Sequence, residues 1–147
     1  MVAGGGSYGG YLTAIVLGRP HPFKALVAHA AVYNWYTQYA SDYAFEPRRF
    51  GDFWQQPEVF QKGSPHFGAA NFATIALVIH GQKDFRVPFN HGIELYQTLV
   101  NKGVPTRLVY FPDENHWVLK PHNSILWHET VLSWLDRWTK ESPASPR

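Results

Sequence analysis

The chain has 147 residues, 45% hydrophobic and 16% charged, with a formal net charge of +2 and no cysteine. That composition predicts one compact domain with a buried core rather than a disordered chain, while the near-neutral charge without a Lys/Arg stripe argues against nucleic acid or an anionic membrane as partner. The lack of cysteine excludes disulfides, thiolate chemistry and a Cys-based metal site, and leaves the compartment open; no apolar run reaches the roughly 18–20 residues that span a bilayer, and no leader peptide is visible.

Residues 1–3 form an apolar strand stub that runs into the glycine-rich turn Gly4-Gly5-Gly6-Ser7-Tyr8-Gly9-Gly10. Residues 11–17 are apolar enough for a buried helix, ended by Gly18-Arg19-Pro20. Residues 23–33 open on a continuous apolar run and read as a buried strand. Residues 34–70 are rich in aromatics, Trp35, Tyr36, Tyr39, Tyr43, Phe45, Phe50, Phe53 and Trp54 among them, and predict short helical turns without a strand. The clearest strand is 74–80, β-branched, apolar and closed by Gly81. Residues 90–102 place Ile93, Leu95, Tyr96, Leu99 and Val100 at helical spacing before a Gly103 stop. A further strand over 106–111 ends at Pro112, and 124–140 is an amphipathic helix carrying Leu126, Trp127, Val131, Trp134, Leu135 and Trp138. The expected organisation is one α/β domain over 1–140, a parallel sheet with helices on both faces, followed by a disordered tail over 141–147.

Gly5-Gly6-Ser7-Tyr8-Gly9 matches G-x-S-x-G, the nucleophile elbow. A serine nucleophile stands exposed on a tight strand-to-helix turn in strained backbone geometry, and side chains at Gly5 and Gly9 are expected to collide with the neighbouring strand and helix. The following helix aims its N-terminus at the serine, so its free N–H groups, with that of Tyr8, suit an oxyanion formed in acyl transfer. Gly4, Gly6 and Gly9 also fit the dinucleotide pattern G-x-G-x-x-G, but the acidic residue which that reading needs about 20 positions later is missing from 23–33. A P-loop lacks its Lys-Ser/Thr.

A serine needs a base, and the base needs an orienting group. Asp84 lies just beyond the strand over 74–80 and His116 just beyond that over 106–111, the order and placement in which an elbow's partners occur. Asp113 and Glu114 share a loop with His116 and are expected to be solvated; His80 reads as a satisfied buried histidine. His122 and His128 lack both H-E-x-x-H spacing and a carboxylate cluster, so no metal is expected.

Gly5-Gly6-Ser7-Tyr8-Gly9-Gly10-Tyr11 resembles the elbow of the prolyl oligopeptidase family of serine peptidases. His80-Gly81-x-x-Asp84-x-Arg86-Val87-Pro88 and Asn115-His116 are similar to its aspartate and histidine motifs. The closing stretch from His116 to Pro121, with Trp127-His128 and Trp134-Leu135-Asp136-Arg137-Trp138, is similar to the dipeptidyl-peptidase V and acylaminoacyl-peptidase branch. The resemblance covers nearly the whole chain and implies the C-terminal portion of an α/β-hydrolase fold, with the N-terminal strands missing. It implies Ser7 as nucleophile, His116 as general base and then acid, Asp84 as the group orienting His116, and the Tyr8 N–H as an oxyanion donor. Trp35, Tyr36 and Tyr39 fall where relatives line the pocket for the side chain preceding the scissile bond; ordinary core packing is the equal alternative. The implied reaction is hydrolysis of a peptide or small ester through an acyl-enzyme, without cofactor or metal. Relatives carry a β-propeller, further strands and a loop with the second oxyanion donor ahead of the elbow, and loss of one donor costs roughly 100- to 1000-fold in rate. The uncovered sheet edge at 1–3 is expected to drive homo-oligomer formation. A carboxylesterase for short acyl esters and an inactive fragment acting as an oligomerising module are the alternatives.

Overall fold

A parallel sheet organises the chain, its strands running in the order β1 (Val2–Gly6), β2 (Ala25–His29), β3 (Ile75–Gly81) and β4 (Thr106–Phe111). The computed structural model describes residues 1–44 and 46–140, with Glu46 and Pro47 described by their backbone only. Helix α1 (Tyr8–Leu17) leads from β1 to β2. Between β2 and β3 lie α2 (Trp35–Tyr39), α3 (Glu46–Phe50), α4 (Pro57–Gly63) and a 3₁₀ helix over Pro65–Asn71. Helix α5 (Asn90–Asn101) joins β3 to β4, and α6 (Pro121–Lys140) ends the described chain. The tail over 141–147 lies outside the described residues. Among those described, no helix is long and apolar enough to cross a membrane.

Alternation along the central strands explains their unbroken apolar sequences. Leu26, Ala28, Ala76 and Val78 face Ala14 and Leu17 of α1 and Leu95 and Leu99 of α5. Val27, Leu77 and Ile79 face the other way and pack, with Val109 and Phe111, against Trp127, Val131, Trp134 and Trp138 of α6. Both faces of β2 and β3 are therefore dry, and a strand buried on both sides has no polar positions to alternate.

Several boundaries differ from the sequence expectation. Strand β1 does not stop at Ala3. Gly4, Gly5 and Gly6 pair in register with Val27, Ala28 and His29, and a Cβ at Gly4 would stand only 3.1 Å from that of Val27. The ladder and this close approach override the weak strand preference of glycine. Helix α1 accordingly starts at Tyr8, directly after the serine, rather than at residue 11. Strand β2 is shorter than 23–33 because Ala30 turns out of the sheet at φ 44°, its N–H held by the Ile79 carbonyl at 2.9 Å. Helix α6 begins at Pro121 rather than 124.

Strand β1 pairs with β2 alone, so among the described residues its outer edge is open. Beside that edge an apolar cleft of about 300 Å³ runs between β1 and α6, walled by Val2, Val27, Trp127, Val131 and Leu135. The C-terminal ends of all four strands share one rim, where loops in parallel sheets carry ligand and catalytic groups.

Candidate active site

Ser7 is the residue that turns β1 into α1, and its backbone sits at φ 57°, ψ −118°, a region that L-residues rarely occupy. Such a conformation costs on the order of 1–3 kcal/mol and persists only where the surroundings over-determine it. Here the Ser7 N–H donates to the His29 carbonyl at 3.0 Å while the Ser7 carbonyl accepts from Tyr11 at 2.9 Å. The neighbouring glycines make the turn sterically possible, with one change from expectation. A Cβ at Gly5 would lie 2.5 Å from the Gly9 backbone and one at Gly10 would lie 2.6 Å from the His29 carbonyl, whereas one at Gly9 would meet nothing within 4 Å. The elbow needs Gly5 and Gly10; Gly9 is the surface that Gly5 approaches.

Because the Tyr11 N–H makes the first bond of α1, the N–H groups of Tyr8, Gly9 and Gly10 are left over by the helix at the position facing Ser7. The Tyr8 side chain itself is exposed.

Three side chains from three strand ends converge. His116, in the loop after β4, places Nε2 2.9 Å from Ser7 Oγ and Nδ1 2.8 Å from Asp84 Oδ2. Asp84, in the loop after β3, is almost wholly buried, and its Oδ1 accepts the N–H groups of Arg86 at 3.1 Å and Val87 at 2.8 Å. Burial pushes the Asp84 carboxyl up, but hydrogen bonds from His116, His80 and the Val87 N–H outweigh it and hold the group well below the usual carboxylate range. Asp84 is thus a fixed anion against His116 Nδ1, which makes Nε2 the acceptor for the serine proton.

The loop bearing His116 is itself clasped. Glu114 is buried, not solvated as its sequence position suggested, and its carboxylate accepts the N–H groups of Leu119 at 3.1 Å and Lys120 at 2.9 Å together with Asn123 Nδ2 at 2.8 Å. Asp113 pairs with Lys120 and accepts from Asn123 at 2.9 Å. Hydrogen bonding to Lys120, then Asn123, lowers the Asp113 carboxyl; for Glu114, burial pushes up and the same kind of bonds pull further down. Both groups are more acidic folded than unfolded. Their stabilisation is complete above the unfolded values near pH 4 and is lost as pH falls through the folded ones. Glu114→Gln is therefore expected to lower stability at pH 7 by roughly 1–3 kcal/mol, as an amide confronts main-chain donors. The variant should also show a shallower loss of melting temperature between pH 5 and pH 2 than the parent; parallel curves would refute the role.

Two clefts flank Ser7. One of about 460 Å³ is walled by Tyr8, Val32, Gln38, Tyr43, Arg86 and Val87, and the other, of about 330 Å³, by His29, Trp117, Leu119 and Trp127 beside His116. No group of three or more His, Cys, Asp or Glu suited to a metal ion occurs among the described residues.

The model of the prolyl oligopeptidase family matches residues 1–142. The chain belongs to that family. It is 40% identical to dipeptidyl-peptidase 5 of Schizosaccharomyces pombe over 99% of this chain and 22% of the relative, and 37% identical to dipeptidyl-peptidase 5 of Porphyromonas gingivalis over 93% of this chain and 21% of the relative. Among solved structures, the acylaminoacyl peptidase of Pyrococcus horikoshii superposes with a TM-score of 0.90 at 27% identity, covering 99% of this chain and 25% of that one. The parallel sheet with its helices is thus part of an α/β-hydrolase domain, and the chain spans about a fifth to a quarter of the length of the relatives named here.

The sequence pointed to Ser7, Asp84 and His116, which the structure brings within hydrogen-bonding reach, but not to the walls of the clefts. Trp35, Tyr36 and Tyr39 pack behind the larger cleft rather than along the wall just described. The buried Trp35 ring stacks on Phe50 with centroids 5.2 Å apart and shares a core cluster with Val32, Phe60 and Val87, while Tyr36 and Tyr39 lean on Phe53 and Phe60. Gln38 was missed because a lone amide among aromatics reads as surface. It is fully buried, with Nε2 donating to the carbonyls of Tyr43 at 3.0 Å and Arg86 at 2.8 Å, which ties the insert to the Asp84 loop. His80 was read as satisfied; its Nε2 is bonded, but its buried Nδ1 has no partner.

Proposed function

We propose that this chain is the catalytic part of a serine hydrolase that cleaves peptide or ester bonds through an acyl-enzyme. The hydrogen-bonded line from Ser7 Oγ through His116 to Asp84 carries the reading, since an elbow strained at its serine and partnered at both imidazole nitrogens has no simpler structural purpose. In the first step Ser7 Oγ bonds to the carbonyl carbon as His116 Nε2 takes its proton, and the C=O pair moves onto oxygen near the Tyr8 N–H. Collapse breaks the bond to the leaving amine or alcohol, which receives the proton from His116. Water then repeats the sequence with His116 as base, releasing the acid and restoring Ser7. Asp84 keeps its charge throughout and holds the imidazolium. The relatives, named dipeptidyl-peptidase 5 and acylaminoacyl peptidase, favour peptides as the substrate class.

A fluorophosphonate probe tests this directly. It is expected to label Ser7, located by peptide mass spectrometry, and to label nothing in Ser7→Ala. An unlabelled parent chain would sink the proposal. The open edge of β1 and its apolar cleft favour a second reading, a module that joins a second copy through that edge. Absence of labelling together with a stable dimer in size-exclusion chromatography would support it, and a monomer would remove it.

A further inference from the structure

We infer that His80 is a positioning residue for the catalytic acid, a second imidazole that holds Asp84 and the wall of the substrate cleft in one arrangement. The inference rests on the serine hydrolase reading above.

His80 lies on β3, and its side chain is 1% exposed. Its Nε2 lies 2.8 Å from the Val87 carbonyl, which can only accept, so the proton sits on Nε2. The same nitrogen is 3.5 Å from Asp84 Oδ2, the oxygen that accepts from His116 Nδ1. Asp84 Oδ1 is occupied by the main-chain donors of Arg86 and Val87. Both main-chain groups of Val87 are therefore engaged, its N–H by Asp84 and its carbonyl by His80, and its side chain walls the cleft beside Ser7. One imidazole thereby connects the acid to the substrate surface.

The other side of the ring shows that it is not mere filling. Nδ1 is buried without a partner, and a Cβ on Gly92 of α5 would come within 2.7 Å of it. An unpaired buried polar atom is unfavourable, and a ring needed only for packing would be better made of carbon. The work of the residue is at Nε2.

The N–H is bonded to the Val87 carbonyl, and at 3.5 Å from Asp84 Oδ2 its dipole still tempers the pull of Asp84 on the imidazolium of His116. Without it, His116 should hold its proton to higher pH. The ionisable groups that act on the pair are His29 at the end of β2 and His91 on α5, while Glu114 lies in the His116 loop and Lys83 and Arg86 flank Asp84 in the sequence. Burial holds His29 at about 4 and His91 at about 3, so neither histidine charges between pH 5 and 8.

The test compares fluorophosphonate labelling rates against pH in the parent chain, His80→Asn and His80→Gln. The glutamine amide reaches the position of Nε2, and the shorter asparagine amide does not. His80→Asn is expected to label roughly ten- to a hundredfold more slowly, the kinetic equivalent of losing one hydrogen bond to a charged group, with its pH midpoint moved up. His80→Gln should recover most of both. Equal rates in all three, or a slowing in both variants with an unmoved midpoint, would overturn the inference. Titration of the His116 ring by proton NMR reads the same midpoint without labelling, so an unreactive Ser7 would defeat the hydrolase reading while this inference is still decided.

Discussion

Asp84→Asn is expected to slow fluorophosphonate labelling of Ser7 by roughly ten-thousandfold, the scale on which a triad falls when its histidine is held in the wrong tautomer. The structure dictates how the amide must sit. Oδ1 of Asp84 accepts two main-chain N–H groups, from Arg86 and Val87, so the carbonyl of an asparagine is compelled to that side. Its NH₂ then occupies the place of Oδ2, facing His116 Nδ1 at 2.8 Å and the His80 Nε2–H at 3.5 Å. Against His116 the amide is a donor, so Nδ1 becomes an acceptor and the ring proton moves to Nε2, which can no longer take the proton from Ser7. Against His80 two donors meet. A labelling rate within tenfold of the parent, in a protein that melts normally, would show that Asp84 does not set the tautomer of His116.

The second large effect is expected from one methyl group. A Cβ on Gly81, at the end of β3, would stand 2.3 Å from the Asn115 carbonyl oxygen and 2.7 Å from that of Glu114. Both are main-chain atoms of the loop that carries His116, and real Cβ contacts do not reach such distances, so the loop has to move. It is not free to move cheaply. The Lys83 N–H donates to the Glu114 carbonyl at 2.9 Å, and the Glu114 side chain clasps the main chain at Leu119 and Lys120. Gly81→Ala should therefore destabilise the fold by roughly 1–3 kcal/mol through overpacking. It should also slow labelling of Ser7 by about a hundredfold, because an ångström of displacement at His116 breaks the alignment with Oγ. Chemical denaturation and labelling kinetics measure the two separately. A stable variant with unaltered kinetics would mean that the loop accommodates the methyl and that β3 does not fix the base.

The elements, and the three strand ends that bring Ser7, Asp84 and His116 together, were legible in the sequence for the same reason. A strand dry on both faces must be apolar throughout, and catalytic groups on a parallel sheet follow the ends of such strands, so residues 74–80 and 106–111 pointed to Asp84 and His116. The family matched over residues 1–142 is the one that the elbow and the two loop motifs resembled. What eluded sequence reasoning depends on contacts between distant segments. Glu114 looks like a solvated loop carboxylate until the turn over 114–120 folds back onto it. Gln38 looks like surface until the carbonyls of Tyr43 and Arg86 close around its amide, and the requirement for glycine at position 10 exists only because β2 passes beneath it.

The chain's own order of residues determined the alternation of strands and helices, the serine turn and the loops that bring Asp84 and His116 to it. These rest on local periodicity and on steric demands within a few neighbours. Tertiary structure alone decided which buried groups support them: the His80 bridge from Asp84 to Val87, the Glu114 clasp and the cleft walls at Val32, Gln38 and Tyr43. The reason is physical. A hydrogen bond between segments dozens of residues apart leaves no period in the sequence, and its donors and acceptors find one another only after the hydrophobic faces have packed.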